Sequence, residues 1–112
     1  MTKIDLICDG YGRIRSCSAK GHASFGHKGK DIVCSAESIL FNTVLDLLGR
    51  TEGILLKTDT ASRGNLAFSV EVKDSGSTER LKCVAEFLQS GLRSLSEQYP
   101  AHVQLREKTE DN

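Results

Sequence analysis

The chain has 112 residues and no net formal charge, with 38% hydrophobic and 27% charged residues. This composition is typical of one folded domain, and it excludes both a disordered chain and a small disulfide-dependent scaffold. A dedicated nucleic-acid binder carries a strong basic excess, so we do not expect direct nucleic-acid binding. The sequence has no apolar run of membrane-spanning length, and Met1–Leu6 lack the apolar stretch of a signal peptide. We therefore expect a cytoplasmic protein that does not bind membranes.

The strands are predicted by the alternation of apolar and polar residues. Apolar residues alternate in 4–8, and an extended polar run follows in 13–20, which together predict a β-hairpin. Residues 54–60 and 66–72 predict a second hairpin, joined at 62–65. Val103 and Leu105 indicate a last strand, followed by a frayed polar tail from Glu107 to Asn112.

Two helices are predicted by apolar residues that recur with a period of 3.6. The first covers 35–49, with an apolar stripe from Ile39 to Leu48, and Gly49 is expected to end it with a positive φ. The second covers 78–98, and Thr78 is expected to cap its first turn.

The predicted order of elements is β-β-α-β-β-α-β. Each helix has a single apolar stripe and therefore needs one face of a sheet on which to bury it. We expect an α+β two-layer sandwich, with a mostly antiparallel sheet and both helices on one face. Residues 1–112 are expected to form a single domain.

The four cysteines lack the spacing of a zinc ribbon or of a thioredoxin-type pair. Cys8, Cys17 and Cys83 are interpreted as core or strand-face thiols. Cys34 differs because it stands directly before the first predicted helix. The free amides and the dipole at a helix N-terminus favour an anion and lower the pKa of a thiol from about 8.5 toward neutrality.

A thiol nucleophile needs a base, and two histidines precede Cys34 in a glycine-rich segment. His22 and His27 can each reach back toward Cys34, and Asp31 can orient an imidazole or cap the helix. From spacing alone this pattern is weak, since any small domain with several Cys and His residues offers such pairs. Without further information, a buried packing role for Cys34 is the better interpretation.

The amino-acid sequence of the segment around Cys34 changes this interpretation. Residues 21–38 read Gly-His-Ala-Ser-Phe-Gly-His-Lys-Gly-Lys-Asp-Ile-Val-Cys-Ser-Ala-Glu-Ser. The segment resembles the signature of the bacterial ribosomal-processing cysteine proteases of the Prp family: Gly-His-Ala, a short variable loop, Gly-x-Asp-Ile-Val-Cys, and a downstream Ser. The predicted length and order of elements fit this family over nearly the whole chain.

The resemblance implies a cysteine endopeptidase without a cofactor. Members are small, cytoplasmic and generally homodimeric, and they remove an N-terminal extension from large-subunit ribosomal protein twenty-seven. His22 and Cys34 match the catalytic dyad. The other matching positions are the supporting residues Gly21, Asp31 and Ser38 and a substrate loop that contains Phe25, Gly26 and Gly29.

One position departs from the family pattern. Glu37 stands where the family usually has Val. A Glu in the first turns suits the helix dipole, but a charge that points toward the sulfur would raise the pKa of Cys34. The departure therefore bears on thiol activation or on substrate preference, and it leaves the dyad untouched.

Two alternatives remain open at this point. The same fold is compatible with a non-enzymatic ribosome-associated binding module in which Cys34 only packs. A metal site could also be built from His22, His27 and Cys34, which are ligand types that zinc accepts. Their spacing matches no known zinc pattern, so we do not expect a metal.

Overall fold

The computed structural model describes residues 1–21, 32–60 and 65–110. The predicted order of two helices and five strands is confirmed. The elements are β1 (Thr2–Asp9), β2 (Ile14–Lys20), α1 (Ile32–Gly49), β3 (Ile54–Asp59), β4 (Asn65–Val72), a short 3-10 turn (Ser75–Ser77), α2 (Thr78–Gln98) and β5 (Val103–Glu110). Most of the predicted connection at 62–65 lies outside the described residues, since only Asn65 falls within them, as the first residue of β4.

The five strands form one mixed sheet in the order β3-β4-β2-β1-β5. All neighbouring strands run antiparallel except β1 and β5, which pair in parallel from Thr2↔Val103 to Asp9↔Glu110. The prediction of a mostly antiparallel α+β sheet is therefore confirmed. Strand β2 runs antiparallel to both of its neighbours, β1 and β4. The start of β1, the end of β2 and the start of β4 therefore lie at the same end of the sheet.

The core lies between the sheet and the two helices. Alternate residues of β1 and β4 are buried there, as the predicted period of two requires. The helices also approach each other closely, since a Cβ added at Gly91 of α2 would lie 2.6 Å from a methyl carbon of Leu40 in α1. The predicted stripe of α2 is fully buried: Leu81, Val84, Ala85, Leu88, Leu92 and Leu95.

Helix α1 differs from its prediction in its start and in its buried face. It begins at Ile32 rather than at 35, so Ile32, Val33 and Cys34 lie inside the helix instead of before it. Ile39, the first residue of the predicted stripe, is 67% exposed. The buried residues are Val33, Glu37, Phe41, Val44 and Leu48. The helix is long and apolar enough to cross a membrane by composition alone, but this buried stripe is what a core helix requires.

Three predicted ends are also wrong. Thr78 does not cap α2, because it is the first helical residue and Ser77 occupies the cap position without a side-chain hydrogen bond. The side-chain cap belongs to the preceding 3-10 turn, where the Asp74 carboxylate accepts a hydrogen bond from the Gly76 amide. Gly49 is not among the glycines with positive φ, whereas Gly53 has a φ of 80°. The tail does not fray at Glu107, because β5 continues to Glu110 alongside β1.

Candidate active site

The first turn of α1 carries the thiol that the sequence singles out. Cys34 is the third residue of the helix and is half-buried. Amides of a first helical turn have no acceptor within the helix, and they carry the positive end of the helix dipole. A thiolate, or the oxyanion formed when a thiolate attacks a carbonyl, is stabilised at such a place.

A pocket of about 260 Å³ opens beside Cys34. One face of α1 forms part of its wall, because residues at i, i+3, i+4, i+7 and i+8 of a helix share a side. The rest of the wall is formed by the ends of β1, β2 and β4 that lie together at one end of the sheet. The described lining residues are Thr2, Ala19, Gly21, Cys34, Glu37, Ser38, Phe41, Asn42, Asn65 and Leu66.

Glu37 lies in this wall, one helical turn beyond Cys34. It is only 6% exposed, although its side chain ends in a carboxyl group. The hydroxyl of Thr2 donates to Glu37 Oε1 at 3.2 Å, and Thr2 is itself buried. This bond links the start of β1 to α1 next to the thiol. The sequence marked Glu37 as unusual, but neither its burial nor its partner could be predicted, because Thr2 is 35 residues away in the chain.

Gly21 forms the opposite side of the pocket, directly after β2. Its φ of +89° lies in the left-handed region, and a Cβ added there would lie 2.7 Å from the carbonyl oxygen of Met1. The Gly21 amide donates to Asn65 Oδ1 at 3.3 Å. Both the backbone conformation and the available space therefore require glycine at this position.

The structure brings together three of the predicted site residues. Cys34 and Ser38 lie on the same face of α1, and Gly21 lines the same pocket. The remaining predicted residues lie outside the described residues: His22, Asp31, Phe25, Gly26 and Gly29, together with His27 of the metal alternative.

The other thiols differ sharply from Cys34. Cys8 and Cys17 are buried as predicted, and burial raises the pKa of Cys8 and raises that of Cys17 to about 12. Cys83 was predicted to be a core or strand-face thiol, but it is exposed on α2. It falls outside the buried stripe of that helix, since Val84 and Ala85 take the neighbouring core positions. Cys83 thus provides an exposed reference thiol in the same chain.

Among residues 1–21, 32–60 and 65–110, no three His, Cys, Asp or Glu side chains lie close enough to hold a metal ion together. The metal alternative needs His22 and His27, which are outside these ranges. The described residues therefore leave that alternative untested.

Solved structures with the same fold include two bacterial proteins. The first is the essential ribosomal processing protease Prp from S. aureus, determined with a covalently linked product peptide; its TM-score is 0.79 at 22% identity, over 96% of this chain and 100% of that one. The second is SMU.848 from Streptococcus mutans, with a TM-score of 0.74 at 25% identity, over 98% of this chain and 96% of that one.

Sequence comparison extends the likeness beyond the fold. No curated protein matches the chain significantly. The sequence model of the family described as cysteine protease Prp matches residues 1–104, which is almost the whole chain. The chain therefore belongs to the cysteine protease Prp family.

Proposed function

We propose that this protease removes the N-terminal extension of large-subunit ribosomal protein twenty-seven, with Cys34 as the nucleophile and His22 as the general base. The observation that carries the proposal is the position of Cys34, a half-buried thiol in the first turn of α1 that lines a pocket of about 260 Å³. Family membership and the processing activity named for the S. aureus relative support the substrate.

The proposed chemistry proceeds through a thioester. His22 takes the thiol proton, and Cys34 Sγ attacks the scissile carbonyl carbon to form a tetrahedral oxyanion. Amides of the first turn of α1 stabilise this oxyanion. The C–N bond then breaks as His22 returns the proton to the leaving amine. Water, deprotonated by His22, attacks the thioester and releases the carboxylate product and the free thiol.

The supporting roles follow the family pattern. Asp31 orients His22 or the segment that carries it. Ser38 lies one turn beyond Cys34 and provides a hydroxyl near the dyad. Gly21 places the end of β2 in the pocket wall, and the segment with Phe25, Gly26 and Gly29 contacts the substrate. We further propose that the enzyme acts in the cytoplasm as a homodimer and needs no cofactor.

Cleavage of a peptide that spans the N-terminal extension of the ribosomal protein from the same organism tests the proposal. We expect mass spectrometry to show a single cut with the wild type and none with Cys34→Ala. Cys83→Ala is the matched control, since it removes an exposed thiol on the other helix, and it is expected to cut at the wild-type rate. Wild-type cleavage by Cys34→Ala would refute the nucleophile, and no cut by any folded variant would favour the binding-module interpretation.

A further inference from the structure

Gly21 directly precedes the proposed general base, since His22 follows it in the chain. Its positive φ, and the Met1 carbonyl oxygen that would lie 2.7 Å from an added Cβ, leave only glycine suitable at this position. Glycine is also the residue whose backbone torsions are least restricted by its own atoms. The conformation of Gly21 therefore has to be fixed by contacts with its neighbours.

The side chain of Asn65 provides such a contact. Among the described residues, the pairing of β2 with β4 ends at Lys20↔Asn65. One residue further along β2, the Gly21 amide donates to Asn65 Oδ1 at 3.3 Å. The side chain of Asn65 thus extends the hydrogen bonds between the two strands by one residue, to the point where the chain leaves the sheet.

This hydrogen bond lies in the wall of the site. Gly21 and Asn65 both line the pocket beside Cys34. Rotation about the backbone torsions of Gly21 would displace the side chain of the next residue relative to the thiol. A displacement of about 1 Å can cost on the order of 100-fold in rate. A bond that fixes Gly21 therefore affects proton transfer more than its own strength suggests.

We propose that Asn65 is a positioning residue for the general base: its side-chain oxygen fixes the backbone of Gly21 and thereby the point from which His22 reaches Cys34. The inference rests on the proposed function, because it assigns Asn65 to the same pair of reacting side chains. In this role Asn65 acts through Gly21 rather than on the reacting atoms. The role needs the acceptor oxygen of the Asn65 amide and not its NH₂ group.

The rate at which iodoacetamide alkylates Cys34 at pH 7 tests this without any assumption about the substrate. An imidazolium beside a thiol favours the reactive thiolate, so His22→Ala is expected to slow the reaction. We expect Asn65→Ala to slow it about fivefold, as for the loss of one hydrogen bond. Asn65→Ala should have no further effect when His22→Ala is present, because it acts through His22. Asn65→Asp keeps the acceptor oxygen and should react within about twofold of the wild type.

Gln104→Ala is the matched control, because it removes an exposed amide from β5, none of whose residues lines the pocket. It is expected to react at the wild-type rate. The buried thiols of Cys8 and Cys17 report on folding, since they should stay unmodified in a folded variant. If Asn65→Ala exposes them, Asn65→Val, which favours a strand and also lacks the acceptor, replaces it with the same expectation.

Three results would overturn the inference while leaving the base in place. They are a wild-type rate for the folded Asn65→Ala or Asn65→Val variant, an equal slowing with and without His22, and a rate for Asn65→Asp as low as that of the variant without the acceptor. A wild-type rate for His22→Ala would instead refute the general base of the proposed function, and the inference would fail with it.

Discussion

Asp9 is a buried carboxylate whose charge is balanced by Arg13, four residues further along the chain. Its side chain is fully buried and accepts hydrogen bonds from the amides of Tyr11 and Arg13 and, at 2.7 Å, from Arg13 Nε. Burial by itself raises the pKa of Asp9, but these hydrogen bonds together outweigh it and hold the pKa below the ordinary value. The charged form therefore stabilises the turn between β1 and β2.

The lowered pKa makes part of the stability depend on pH. This contribution is present above the pKa of an unfolded aspartate, about 3.9, and is lost as the pH falls through the lower folded pKa. We expect Asp9→Asn to lower the free energy of unfolding by about 2 kcal/mol at pH 7, because it leaves Arg13 without its charged acceptor. Urea titrations at pH 7 and pH 3 measure the difference, which should shrink at the lower pH.

Asp46→Asn is the matched control for Asp9→Asn. Asp46 pairs with Arg50 on the exposed surface of α1, so its loss should cost less than about 0.5 kcal/mol at either pH. Equal effects of the two substitutions at pH 7 would contradict the structural role given to Asp9.

For single residues, the sequence singles out the thiol of Cys34 more successfully than it predicts which side chains surround that thiol. Cys34 could be selected because its neighbours match a long family signature and because it stands near a helix start. Glu37 could not be placed in the pocket wall, since a charged residue in a helix is usually exposed. It accepts a hydrogen bond from Thr2, which lies near it only because the sheet is folded.

The end of α1 offers a direct comparison of two glycines. Gly49 has no atom within 4 Å of an added Cβ, whereas Gly53 has a φ of +80° and its added Cβ would lie 2.8 Å from Asp74 Cβ. We expect Gly49→Ala to leave stability unchanged or raise it by up to about 1 kcal/mol, as alanine favours helix. Gly53→Ala should lower it by about 1–2 kcal/mol through left-handed strain and the close contact. Thermal unfolding followed by circular dichroism measures the stability of both variants. If the Gly53→Ala variant were the more stable of the two, these backbone assignments would be contradicted.

Elements are predicted well where packing follows local periodicity. Helix α2 was predicted at its observed bounds because its stripe is regular and every member is buried. Helix α1 was predicted three residues short, because the prediction followed the apolar stripe that begins at Ile39 and did not extend to Ile32 and Val33. Strand β5 was predicted too short because charged residues such as Glu107, Lys108 and Glu110 indicate a tail. On an edge strand, such charges are a common protection against pairing with another chain.

We expect the thermal stability of the whole fold to depend on β5, although much of the sequence of this strand is polar. The strand covers β1 along its full length, and the Arg93 guanidinium of α2 makes two hydrogen bonds of 2.8 Å to Glu107. Ending the chain after Arg106 would leave the β1 segment from Leu6 to Asp9 without its parallel neighbour. We expect this truncation to lower Tm by about 5 °C or more in differential scanning calorimetry.

The control for the truncation is Glu107→Gln, which weakens the partly exposed pair with Arg93 but keeps the strand. Its effect on Tm should be below about 2 °C, as is usual for surface pairs. A truncated chain with wild-type Tm would show that the outer half of β5 contributes nothing to the fold.

The site is a property of the assembled sheet rather than of one segment. Thr2, Gly21 and Asn65 come from three separate strand ends, and all three line the pocket beside Cys34. The sequence places each of them in or near a strand, but only the strand order β4-β2-β1 makes them neighbours. For this reason the sequence could single out Cys34 as the proposed nucleophile, but it could not predict the pocket around it.

The central claim is that Cys34 is an activated nucleophile, and its rate of alkylation tests this most directly. Native protein is treated with iodoacetamide at pH 7, and each cysteine is followed by mass spectrometry of peptides. We expect Cys34, although half-buried, to react at least about tenfold faster than the exposed Cys83. Cys8 and Cys17, whose pKa values are raised by burial, should stay unmodified. Reaction of Cys83 at the same rate as Cys34, or faster, would contradict the account.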